Sequence, residues 1–165
     1  MYYLKSIILA FCVTVFVTGA GSAHEYEIGD IVIEHPFSRA TPPKARVAGG
    51  YMTITNKGAL ADRLISGSAI ISKRVEIHEM AIVDDIMRMR PLPDGIEIPA
   101  GETVTFKPGS YHIMFMGIAE PFKEGSHNSV TLMFENAGEI EVKFNIEAMN
   151  ASAPAHMKNG EHKAH

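Results

Sequence analysis

Turn-forming residues recur every 8 to 12 positions along most of this chain, and that rhythm constrains the fold more than any other feature. Between the turns lie short runs rich in Val, Ile, Thr, Tyr and Phe. The runs predict strands over Tyr26–Glu34, Gly50–Asn56, Asp62–Ser68, Lys73–Ile82, Ile86–Pro91, Thr103–Lys107, Tyr111–Gly117, Ser129–Glu135 and Glu139–Ile146. Val130-Thr131-Leu132-Met133-Phe134 and Ile140-Glu141-Val142-Lys143-Phe144 alternate apolar and polar residues, so each buries one face and wets the other. No window offers a helix of three turns, and only a short turn near Glu120–Glu124 is expected. Many short strands with Gly, Pro and Asn turns read as all-β, a β-sandwich or small barrel with Greek-key connections.

The turns have local causes. Asn56-Lys57-Gly58 suits a hairpin with Gly in a left-handed position. Asp84-Asp85 separates two strand candidates that read as hairpin partners, and Lys107-Pro108-Gly109-Ser110 is a tight turn just before His112. Thr41-Pro42-Pro43-Lys44 reads as a loop, because proline cannot serve a central strand.

The ends differ from the middle. Residues 1–23 have the layout of a secretory signal peptide: Lys5, an apolar run from Ile7 to Val17, then small residues up to Ala23. The run is too short for a stable membrane span. Phe11 stands where a lipobox needs a small residue, so no lipid on Cys12 is expected. The expected mature chain starts at His24. Residues 24–148 form one domain, and residues 149–165 form a flexible tail carrying His156, Met157, His162 and His165.

Without residues 1–23 the chain holds 14 basic and 19 acidic residues, net −5, with no basic run. That argues against nucleic acid as a partner. No stable membrane insertion is expected, and the chain reads as a monomer. Cys12 is the one cysteine, so the mature domain has no disulfide and no cysteine-ligated metal.

Against that background the stretch from His78 to Met114 stands out. It holds His78-Glu79-Met80, Met87-Arg88-Met89 and His112-Ile113-Met114. Residues two apart on a strand share a face, so His78 joins Met80, Met87 joins Met89, and His112 joins Met114. A hairpin and the turn at Pro108 can bring these pairs together at one rim of the sandwich. Imidazole and thioether are the ligands of a soft ion, copper(I) above all, and thioether need lose no proton to bind. Methionine is also ordinary core filler, and Met52, Met116 and Met133 read as core. His35 and His127 read as structural or surface residues. Spacing alone leaves metal binding and packing both open.

The same residues resemble the periplasmic copper(I) chaperones of the PCu(A)C family, whose signature is a His, a Met about eleven positions on, and a downstream His-x-Met. Here these are His78, Met89, His112 and Met114. Similarity extends to Ala40-Thr41-Pro42-Pro43, Val47-Ala48-Gly49-Gly50-Tyr51, Met87-Arg88-Met89-Arg90-Pro91 and Ile98-Pro99-Ala100-Gly101, and covers about Ile28 to Ile146. The resemblance implies a cupredoxin-like β-sandwich, copper(I) ligation by those four residues, and delivery to respiratory oxidase assembly, notably the dinuclear copper centre of cytochrome c oxidase. The partner would be a copper-accepting oxidase subunit or another copper chaperone, and the location periplasmic. Met80 and Met116 read as packing beside the site, and Met87 as the alternative to Met89. The tail resembles family extensions that bind copper(II), so His156, Met157, His162 and His165, with His24, form a candidate second site. Competing readings are a copper-dependent oxidative enzyme using His24 and a non-metal β-sandwich interaction module. The site lacks an acid/base pair or nucleophile, so an enzyme is not expected.

Overall fold

The computed structural model describes residues 25–83 and 86–152. Eleven strands account for its regular structure: β1 (Glu25–Ile28), β2 (Ile31–Arg39), β3 (Val47–Asn56), β4 (Asp62–Ser68), β5 (Arg74–Val83), β6 (Ile86–Pro91), β7 (Ile96–Ile98), β8 (Thr103–Phe106), β9 (His112–Met116), β10 (His127–Phe134) and β11 (Gly138–Glu147). The chain is all-β, a cupredoxin-like sandwich. Its strands run β2-β11-β10-β4-β5-β9-β3 and close through a β2–β3 pairing. Among these pairings the β2–β11 contact is the parallel one, and β1, β6, β7 and β8 each pair with a single neighbour.

The alternation seen in the sequence sets the inner face. On β10 the buried residues are Val130, Leu132 and Phe134, and on β11 they are Val142, Phe144 and Ile146. From the other sheet come Met52, Ile54, Ile77, Ile113 and Phe115. Phe115 meets Phe122 and Phe144 edge-on, with centroids 5.6 and 5.8 Å away, the arrangement aromatic quadrupoles favour. Gly50 makes that packing possible. A Cβ there would lie 2.9 Å from both the Phe115 and the Phe144 ring.

Several boundaries differ from the sequence reading. The single strand expected over Tyr26–Glu34 is a hairpin, β1 and β2, turning at Gly29 with φ 55°. β3 begins at Val47, because Gly49 and Gly50 belong to the strand and serve close approach rather than a turn. Asn56-Lys57-Gly58 is no hairpin: β3 and β4 belong to different parts of the sheet order. Asn56 Oδ1 instead accepts the Gly58 N–H at 2.9 Å, an Asx-type turn. The short β7 was not foreseen, although Ile96-Glu97-Ile98 alternates; it pairs with β4. Met52 is core as expected. Met116 and Met133 are not: both are half-buried on the outer face of their strands, where alternation with Phe115 and Phe134 puts them.

Candidate metal centre

β9 lies antiparallel to β5, and β5 to β6, with His78 opposite His112, Glu76 opposite Met114 and Met80 opposite Met89. Ile77, Ile113 and Phe115 point into the core. His78, Glu76, His112 and Met114 therefore share the outer face. These residues gather at the end of that face where the β5–β6 hairpin runs past the start of β9. Val83 pairs with Ile86 on either side of Asp84-Asp85, which supports the expected hairpin; Asp84 and Asp85 themselves lie outside the described residues.

Local sequence explains why His112 starts β9. Ser110 N–H bonds to Lys107 O at 3.1 Å, and Gly109 has φ 81°. Pro followed by a left-handed Gly is the type II turn signature. The turn aims the Ser110 carbonyl at two donors, Met80 N–H at 3.2 Å and His112 Nδ1 at 2.9 Å. It thereby ties β5 to the imidazole.

The two rings face one another with centroids 5.8 Å apart. They are 8% and 4% exposed, His78 and His112 respectively. Glu76 Oε2 lies 2.9 Å from His78 Nε2, and its Oε1 lies 3.3 Å from Arg74 Nη2. Neither contact was foreseen. The Glu-x-His spacing of Glu76 and His78 is the signal that would have found the first. Burial lowers the His112 pKa; the Ser110 carbonyl opposes that shift, and the neighbouring His78 adds to it. The ring is therefore held neutral, the form that binds a metal.

His78 Nδ1 and His112 Nε2 are buried with no hydrogen-bond partner. Buried polar atoms in native structures are nearly always paired, so two orphans on facing rings demand a reason. A shared metal ion supplies one. Among the described residues no three His, Cys, Asp or Glu side chains gather to hold a metal. Any ion at the two nitrogens needs other donors, and the methionines are the soft donors on this face. Met114 lies two residues from His112 on the same face, diagonal to His78. Met89 lies diagonal to His78 on the other side and is 47% exposed. Met80 and Met87 share that face; Met116 lies further along it, opposite Arg74. Tyr51 folds over Gly49, the residue paired with Met114: a Cβ on Gly49 would sit 2.8 Å from the Tyr51 hydroxyl.

His35 sits at φ 50° in the irregularity of β2, and His127 is exposed on β10; neither is among the residues gathered here. His24, His156, Met157, His162 and His165 lie outside the described residues, as do residues 1–23. Arg39 holds the last described residues: its Nε donates to Ala151 O at 2.8 Å, and its guanidinium lies 5.6 Å from the Tyr51 ring centroid. Ser152 lines a small pocket with Arg39, Lys107 and Pro108, beside the turn that leads to His112.

Comparison with known families matches residues 31–146 to the model described as "Putative lipoprotein LpqE-like". The chain belongs to the LpqE-like family. "Putative lipoprotein Lxx21020" of Leifsonia xyli subsp. xyli (strain CTCB07) is 30% identical over 96 residues. The match covers 55% of this chain and 58% of that relative, so the chain spans under two thirds of the relative's length. Solved structures include the copper-bound PCuAC domain from PmoF2, with 32% identity and TM-score 0.64 over 76% of this chain and 98% of that one. The apo PCuAC domain from PmoF1 gives 26% and 0.65, over 76% and 99%. The CuI form of DR1885 from Deinococcus radiodurans, at 24% identity and 0.57 over 82% and 85%, shares the fold. This LpqE-like chain is thus built as a PCuAC domain.

Proposed function

We propose that this LpqE-like protein is an exported copper(I) carrier, not an enzyme, with His78, His112, Met114 and Met89 as ligands. The observation that carries the reading is the pair of buried, partnerless imidazole nitrogens on facing strands, bordered by thioethers. The likeness to a copper-bound PCuAC domain supports it. The family description and the relative's name, both of lipoproteins, support a place in the cell envelope. We assign the periplasm, with residues 1–23 as a cleaved signal.

The chemistry suits transfer. Two neutral imidazoles and two neutral thioethers satisfy a d¹⁰ ion without imposing a rigid geometry. An acceptor with thiolate ligands can draw the ion away, because thiolate is the stronger soft donor. Met89 sits on an exposed strand and is the ligand an acceptor would meet first. The resemblance makes that acceptor the dinuclear copper centre of cytochrome c oxidase, or another copper chaperone that feeds it. Copper(II) would be taken by His156, Met157, His162 and His165, with His24.

The test is a copper(I) titration of the mature chain against a competing chelator. One equivalent should bind tightly, and His112→Ala with Met114→Ala should abolish it. Wild-type affinity in that double variant would refute the site.

A further inference from the structure

The two imidazoles are held from opposite ends. His112 Nδ1 lies 2.9 Å from the Ser110 carbonyl oxygen. A carbonyl only accepts, so the proton is on Nδ1 and the lone pair on Nε2. His78 is turned the other way, with Nε2 2.9 Å from Glu76 Oε2. A carboxylate accepts, so His78 carries a proton on Nε2, and the neutral ring has its lone pair on Nδ1. The atoms without partners are the complementary set, His78 Nδ1 and His112 Nε2, and both are buried. Both of the observed contacts and both orphans thus agree on one pair of tautomers.

We infer that Glu76 is a positioning residue that fixes His78 as the Nε2–H tautomer, so that the copper(I) site is built from Nδ1 of His78 and Nε2 of His112. The inference rests on the copper reading and adds which atoms bind and what sets them. Glu76 is suited to hold rather than to ligate. One oxygen is taken by His78 and the other lies 3.3 Å from Arg74 Nη2. Carboxylate oxygen is also a hard donor, poorly matched to copper(I). Arg74, Glu76 and His78 alternate along one face of β5, so the strand period itself builds the relay. Outer partners of this kind orient a metal-binding ring and raise its basicity. Nδ1 lies next to the ring's attachment point and Nε2 at its far edge. The ion would therefore sit close to the backbone of β5 and at the tip of the His112 ring.

Long-range ¹H–¹⁵N NMR of the metal-free chain, labelled at histidine, reads both tautomers directly. The expected result is a proton on Nε2 of His78 and on Nδ1 of His112. Glu76→Leu should release the His78 tautomer and weaken copper(I) binding roughly 10- to 100-fold. Glu76→Gln keeps an acceptor oxygen and should recover most of both. A His78 protonated on Nδ1 in the wild type overturns the inference, as does Glu76→Leu with tautomer and affinity unchanged. If Glu76→Leu does not fold, the copper(I)-loaded wild type decides: shifts must fall on Nδ1 of His78 and Nε2 of His112, and shifts on the other two nitrogens refute it. Correct tautomers in a folded chain that takes up no copper(I) would instead defeat the copper reading, and the ligand atoms with it, while the Glu76 contact stands.

Discussion

His112 shows how the burial that suits a side chain to its proposed role as a ligand can cost the free protein stability. Its pKa is lowered by burial in the fold. In the unfolded chain it titrates near the ordinary value of about 6.5. Above that value both states hold it neutral and it exacts no penalty. As the pH falls below it, the unfolded chain takes up a proton that the folded chain resists, and stability drops until the lowered folded pKa is passed. Denaturant melts of the metal-free protein should therefore lose stability as pH falls from about 6.5, and His112→Leu should flatten that part of the profile. An unchanged profile in the variant would show that other groups cause the loss. Gly50 makes the opposite kind of point. A methyl group there must displace two aromatic rings at 2.9 Å. Gly50→Ala should cost about 1–3 kcal/mol in denaturant unfolding, the usual range for overpacking a tight core.

The element that matters most is the β5–β6 hairpin. Its pairing was legible in the sequence, because Asp84-Asp85 separates two Met-bearing runs; the structure adds the register, Met80 opposite Met89. The Pro108-Gly109 turn was equally legible, since its residues match the backbone angles it needs. The placing of β9 beside β5 was not legible. That pairing joins residues more than thirty positions apart, and no local period encodes it. The hairpin also poses the question of which thioether binds. Met80 and Met89 face each other across it, Met80 half-buried and Met89 exposed. We expect Met89→Ala to weaken copper(I) binding at least tenfold and Met80→Ala to change it less than threefold, by chelator competition (on the order of 1.4 against 0.6 kcal/mol). The reverse order would move the ligand to Met80.

At the scale of the whole molecule, alternation announced a sandwich but not which sheet neighbours which. Closure depends on β2 keeping β3 on one side while, past the irregularity at Glu34–Phe37, it takes β11 in place of β1 on the other. Nothing in the run Ile31–Arg39 marks that switch except Pro36. Alternation also left the facing of each strand undecided, and Met116 and Met133, which read as core from their apolar neighbours, lie outside it. His78, His112 and Met114 were legible because two His-x-Met pairs stand out against composition, whereas Met89 was singled out over Met80 and Met87 only by the family resemblance. Glu76 was missed because a carboxylate beside a histidine is common on any strand. The tail adds a separable prediction: ending the chain after Ser152 should remove copper(II) binding and leave copper(I) affinity within twofold. Loss of copper(I) binding on that truncation would make the tail part of the first site.

The central claim is a mixed nitrogen and sulfur site for copper(I) on the outer face of β5, β6 and β9. X-ray absorption at the copper edge of the copper(I)-loaded protein tests it most directly. Two nitrogen and two sulfur neighbours are expected in the wild type, and one of each after His112→Ala with Met114→Ala if any copper remains. A nearest shell of nitrogen and oxygen alone, without sulfur, would contradict it.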